Sequence, residues 1–268
     1  MYSKNSESMS FEGEEWEGKE VKVQNKIKRI TVCECNPIFV GIEFIEELYL
    51  LGCNCDMLGV SQNLTTLSVS DLLITHLVLP PTLKNLEIEN LSGLNEIDFG
   101  VDSKLTHFTI SKAGLNQLDL PSSLKELEIG ECFRLSSLDI SSLTKLYLFE
   151  CTKLTFLQNS STMESLSLFD CPLATFPEFS NLKTLFLQNV SSPQINLPHS
   201  LTQLEAVDCP FTRLESIENC NLVSLDLFDC KVGKIRVPTT ITSLKIQYCS
   251  NIEIVNMNEL RPNHTLFS

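Results

Sequence analysis

Apolar positions recur along this chain with a period close to 19 residues. Taking the first apolar residue of each recurrence as a start places starts at Ile27, Ile45, Leu64, Leu83, Leu105, Leu124, Leu143, Met163, Leu182, Leu201, Leu222 and Ile241, between 18 and 22 residues apart. Positions +3 and +5 from each start are apolar, and +8 is Cys or apolar. The apolar pair at +3 and +5 has a period of two, which predicts a short strand with one buried face. One such unit cannot bury that face alone, whereas stacked units share a continuous core. A second apolar triplet follows +8, as in Leu135, Leu138 and Ile140, with comparable sets at Leu94/Ile97/Phe99, Leu115/Leu118/Leu120 and Val232/Ile235/Val237. It anchors a return limb too short for a full helix, which is expected to be extended or 3₁₀.

The spacing L-x-x-L-x-L-x-x-N/C is that of leucine-rich repeats. Cys171-Pro-Leu173-Ala-Thr-Phe176-Pro177-Glu-Phe179-Ser-Asn-Leu182 follows the N-x-L-x-x-L-P-x-L-x-x-L pattern of the short, roughly twenty-residue subclass found in bacterial effector proteins, with Cys for Asn. Leu79-Pro80-Pro-Thr-Leu83, Leu120-Pro121-Ser-Ser-Leu124 and Leu197-Pro198-His-Ser-Leu201 repeat the proline theme. The chain therefore resembles the leucine-rich repeat family. The resemblance implies an α/β-type solenoid that is mostly β. It would be a right-handed superhelix with about twelve short parallel strands on its concave face and extended or 3₁₀ convex limbs. It brings no catalytic residue with it.

Residues 1–10 are polar and read as a disordered tail. Residues 11–26 read as an acidic N-terminal cap or leader, in which Trp16, Val21 and Val23 are the candidates to cover the first unit. The repeat domain spans 27–257, and 258–268 form a C-terminal tail. No apolar run approaches twenty residues and no secretory signal is visible at the N-terminus, so the expectation is a cytoplasmic protein with no membrane contact.

Eight of the eleven cysteines (Cys35, Cys53, Cys132, Cys151, Cys171, Cys209, Cys230 and Cys249) occupy +8. This is a ladder of small buried residues with a weak S–H donor, which points to a reducing compartment. Adjacent ladder thiols would have Cα atoms about 5 Å apart, within reach of a disulfide on oxidation.

Net charge is −14, and its distribution changes the picture. In the leucine-rich repeat fold, +4, +6 and +7 line the concavity. Those positions hold twelve acids against Lys112 and Lys245, and seven aromatic residues. The +1 and +2 positions lean basic, with Lys28, Arg29, Lys84, Lys125, Lys145 and Lys183. Phe and Tyr suit strands on propensity alone, and acids keep any surface soluble. Neither preference focuses both on one hollow. An apolar patch rimmed by charge marks an interaction site. The candidate residues are Glu128, Tyr147, Phe149, Glu150, Phe169, Asp170, Phe186, Glu205, Asp208, Asp226, Phe228 and Asp229.

The expected function is a non-catalytic scaffold that binds a basic or amphipathic protein or peptide. The alternatives are an inhibitor or regulatory subunit of a basic enzyme, and a translocated effector scaffold. Cys33, Cys35, Cys53 and Cys55 form two C-x-C pairs, but Cys35 and Cys53 point inward and Cys33 outward, against a zinc site. The histidines are scattered, and no nucleotide-binding or hydrolase motif occurs. The charge disfavours nucleic acid. No catalytic residue, metal or cofactor is expected, and the chain is expected to be a monomer.

Overall fold

The computed structural model describes residues 7–53, 61–173, 175–191, 194–210, 213–215, 217–250, 252–260 and 265–266. Cys55, Met57 and Leu58, which stand in the sequence where other repeats carry the return triplet, lie outside them. The chain is a mostly β, parallel solenoid of about twelve turns with almost no helix. Its residues fall into two compact units, Met1–Lys125 and Glu126–Ser268.

In the first unit, the strands Arg29–Cys33, Glu47–Leu51, Thr66–Ser70, Asn85–Glu89 and His107–Ser111 pair in parallel, each residue opposite its equivalent one turn on. In the second, Glu126–Gly130, Lys145–Phe149, Ser165–Phe169, Thr184–Gln188, Gln203–Val207, Ser224–Phe228 and Ser243–Gln247 do the same. Every one of these strands runs from +2 to +6 of its repeat. The start, +3, +5 and +8 residues are buried in nearly every turn, so the core is the inner column the periodicity marks. Return limbs are extended and pair in short stretches, such as His76–Val78 with Glu96–Asp98 and Gln194–Asn196 with Arg213–Glu215. Single 3₁₀ turns occur at Glu14–Trp16, Ile217–Asn219 and Met257–Glu259.

Three local devices explain recurring residues. The prolines open the turn into the next strand: the carbonyls of Pro80, Pro121, Pro198 and Pro238 accept from the N–H of Leu83, Leu124, Leu201 and Ile241 at 3.0–3.2 Å. These are i to i+3 turns closed just before each start. The ladder cysteines cap carbonyls left over where the strand ends. Cys230 Sγ–H donates to Phe228 O and to Ala206 O of the preceding turn, both at 3.4 Å, and Cys53, Cys151, Cys209 and Cys249 repeat the pattern. Burial pushes the Cys151 thiol up to about 12 and raises Cys171 and Cys249. A hydrogen bond with Cys209, together with burial, raises Cys230. No disulfide joins the described cysteines.

The third device is at +7, where all twelve residues from Glu34 to Tyr248 have φ between 49° and 60°. Left-handed backbone turns the chain out of the sheet there, and it is tolerated best by Gly, Asn and Asp. The bent residue's N–H still reaches the +6 carbonyl of the next turn, as in Glu150 to Phe169 O and Asp229 to Gln247 O.

The termini depart from expectation. Residues 8–10, read as tail, belong to a strand, Ser8–Glu12, which pairs in register with Arg29–Cys33 and buries Met9 and Phe11. Phe11 packs edge-on against Trp16 at 4.9 Å and Phe39 at 5.2 Å, while Val21 and Val23 are buried behind it. The acidic segment thus contributes a further turn of the same kind rather than a separate cap. At the other end, Thr265–Leu266 pairs with Lys245–Ile246, within the segment read as a tail.

Candidate functional site

In each strand, +3 and +5 point into the core, so +2, +4 and +6 emerge together on the opposite face. Within the second unit the register sets these residues in columns. The +4 column reads Glu128, Tyr147, Ser167, Phe186, Glu205, Asp226 and Lys245; the +6 column reads Gly130, Phe149, Phe169, Gln188, Val207, Phe228 and Gln247. The structure therefore brings together eight of the twelve candidate residues: Glu128, Tyr147, Phe149, Phe169, Phe186, Glu205, Asp226 and Phe228.

The aromatic rings lie outside the core. Tyr147, Phe149, Phe169 and Phe186 are half-buried, and Phe228 is 37 % exposed. Three of them pack against one another. Phe169 lies 4.8 Å from Tyr147 and 4.7 Å from Phe186, at interplanar angles of 40° and 27°. Ser167 occupies the +4 position between Tyr147 and Phe186, and its short side chain leaves room for Phe169 to lean between them. The result is a three-ring stack crossing three strands. A second pair, Phe228 with Tyr248, meets edge-on at 5.0 Å.

The other four candidates, Glu150, Asp170, Asp208 and Asp229, occupy +7, one residue past the end of each strand. The left-handed bend carries +7 off the strand to the lip of the face. Seven of the twelve acids counted from the sequence stand at such bends: Glu34, Asp71, Glu131, Glu150, Asp170, Asp208 and Asp229. The backbone conformation is itself a reason for Asp there. On the strand face proper, the +2 column joins the site, which strict alternation already implied. Its charges are matched in the second unit, where Lys145 Nζ meets Glu126 at 2.7 Å. Lys183 and Glu164 pair at 2.8 Å in the +1 column.

In the +4 column, Lys245 pairs with Asp226 at 3.3 Å. Glu128 and Glu205 have neither a hydrogen bond nor an ion pair among the described residues. Burial, and then the neighbouring Asp226, raise the Glu205 carboxyl above the usual range, with Lys245 partly opposing them. Burial and the charge of Glu128 raise the Tyr147 hydroxyl. The face thus presents packed aromatic rings with a carboxylate outside any ion pair beyond each end.

Elsewhere the polar groups serve the fold. A recess among the return limbs of the second unit is lined by Asn159, Ser160, Glu178 and His199. Asn159 Oδ1 accepts from Glu178 N at 2.8 Å, and His199 Nδ1 bonds with the Asn219 carbonyl. Of the two C-x-C pairs, Cys33 stands on the strand face, Cys35 and Cys53 are buried, and Cys55 lies outside the described residues. Among the described residues no three His, Cys, Asp or Glu side chains gather as a metal site, and no helix is long and apolar enough to cross a membrane. No protein-family model matches the chain, and no curated protein matches it.

Proposed function

We propose that this chain is a leucine-rich repeat protein of a reducing compartment that acts without catalysis, binding a basic or amphipathic protein segment on the aromatic strand face of residues 126–248. One observation carries the reading. Tyr147, Phe169 and Phe186 form a continuous stack on the side of the sheet that the core does not use, where folding asks for no aromatic ring. Aromatic anchors within a charged surround have the composition of binding hot spots. The carboxylates of Glu128 and Glu205 and the acidic lip favour a cationic partner over an anionic one.

The test is capture of partners from native lysate by the wild type and by a variant carrying Phe149→Ser, Phe169→Ser and Phe228→Ser. These are solvent-face changes, so the circular dichroism spectrum and unfolding midpoint stay close to wild type. Any specific partner is lost from the variant. Partners retained in full would move the binding surface elsewhere. Steep loss of capture with added salt would favour the reading as an inhibitor of a basic enzyme.

A further inference from the structure

The +4 column of the second unit has a symmetry of chemistry that specifies its ligand more closely. From strand to strand it runs carboxylate, ring, small residue, ring, carboxylate: Glu128, Tyr147, Ser167, Phe186, Glu205. Phe169 fills the centre and occupies the inner faces of Tyr147 and Phe186. The stack therefore has two ring faces left, one turned toward the strand of Glu128 and the other toward the strand of Glu205. Each end ring stands one strand from its carboxylate, which makes a slot where π-density and negative charge adjoin. A planar cation placed there gains a cation–π contact and a charge-assisted hydrogen bond together.

The first unit contains a related contact, in which ring and carboxylate share the strand Glu47–Leu51 and the arginine comes from its neighbour. The Arg29 guanidinium lies 5.9 Å from the centre of the Tyr49 ring and donates to Glu47 at 2.6 Å. The same strand face thus accommodates an arginine against both a tyrosine ring and a glutamate. In the second unit a ring and a carboxylate stand on neighbouring strands at both slots, and neither Glu128 nor Glu205 forms an ion pair among the described residues, the charge of Lys245 reaching Glu205 from its pair with Asp226.

Resting on the proposed binding face, we infer that its ligand is an extended segment of the form Arg-x-Φ-x-Arg, Φ apolar, laid across the strands. Its two arginines fill the Tyr147/Glu128 and Phe186/Glu205 slots, and its apolar residue covers the edge of Phe169. The spacing decides between conformations. The slot centres are three strand spacings apart, about 14 Å at ~4.8 Å per strand. An extended chain covers that distance in four residues at ~3.4 Å each, and residues i, i+2 and i+4 share one side. A helix advances only ~6 Å in four residues. At nine residues it spans the distance but places the second cation on its opposite side. Arginine is specified over lysine because only the planar guanidinium lies flat on a ring while donating to a carboxylate.

The experiment measures binding of synthetic peptides by fluorescence anisotropy at low ionic strength, using Gly-Arg-Ser-Leu-Ser-Arg-Gly and composition-matched isomers with arginines three or five residues apart. The wild type is expected to bind the four-residue spacing about tenfold tighter than either isomer, corresponding to about 1.4 kcal/mol. Lysine in place of arginine abolishes most of that margin. Glu128→Gln and Glu205→Gln, both exposed and harmless to folding, each reduce the preference, and together they erase it. Equal binding of the isomers overturns the inference, as does a preference that survives the double variant or no detectable binding of any peptide. In those cases the proposed binding face still stands if lysate capture depends on Phe149, Phe169 and Phe228. Capture insensitive to those residues removes the face itself.

Discussion

On the strand face of the first unit, the +4 column is Thr31, Tyr49, Ser68, Glu87 and Thr109, and the +6 column is Cys33, Leu51, Ser70, Glu89 and Ser111. The equivalent columns of the second unit carry five of its aromatic rings. Yet the two units share what builds a turn: the inward +3 and +5 residues, the left-handed +7, and an inward +8. The fold therefore tolerates hydroxyls at +4 and +6 as readily as rings. Where rings appear, the turn itself does not require them. The single ring at +4 in the first unit makes the point from the other side, since Tyr49 is already attended by Arg29 and its hydroxyl donates to Glu47 at 3.1 Å.

If the cores are equivalent, matched truncations should cost the same. Leu50→Ala in the first unit and Leu148→Ala in the second, at side chains 2 % and 0 % exposed, should each destabilise by about 2–5 kcal/mol in urea unfolding. A large disparity would show that the two units are not built alike. A smaller effect tests the shared bend. Asp71→Val and Asp229→Val place a β-branched residue at φ 56° and 49°, which should cost about 1–2 kcal/mol. Glycine at the same positions should cost nothing or slightly stabilise. Loss with glycine as well would mean that the carboxylates themselves hold the bend.

The smallest predicted effect separates the faces by pH. The Glu205 carboxyl is raised in the fold, so the folded state disfavours its ionised form. Its contribution to stability therefore improves as pH falls through the raised value. Docking of a cationic peptide favours the ionised form, so binding weakens over the same interval. Anisotropy titrations and urea melts between about pH 4 and 7 should move in opposite directions. Glu205→Gln should flatten its share of both. Parallel movement of the two curves would show that Glu205 does not meet the ligand.

Much of this was legible in the chain itself, and the exceptions have local causes. The first turn escaped notice because it lacks the landmarks used to find the others. Its start would be Ser6 and its +8 residue Glu14, leaving only Met9 and Phe11 to announce it. The bend at +7 escaped because an alternating pattern does not say where a strand ends. The clue was compositional, in Gly52, Asp71, Asn90, Asp170, Asn189, Asp208 and Asp229, residues that accept left-handed backbone. The charge counted at those positions was real but belonged partly to the backbone's needs. The +2 column followed from period two and needed only to be carried one step back along the strand.

What the amino-acid sequence determined by itself is the repeat, its length, the inward columns and the identity of the residues that face away from the core. Each of these follows from period and polarity, which are properties of a line. Only tertiary structure decided which of those residues touch. Contact across strands depends on register between segments eighteen or more residues apart, and on small side chains such as Ser167 that let a neighbouring ring lean over. The three-ring stack, and the carboxylates beyond its two ends, exist because strands align side by side; no stretch of the chain contains them.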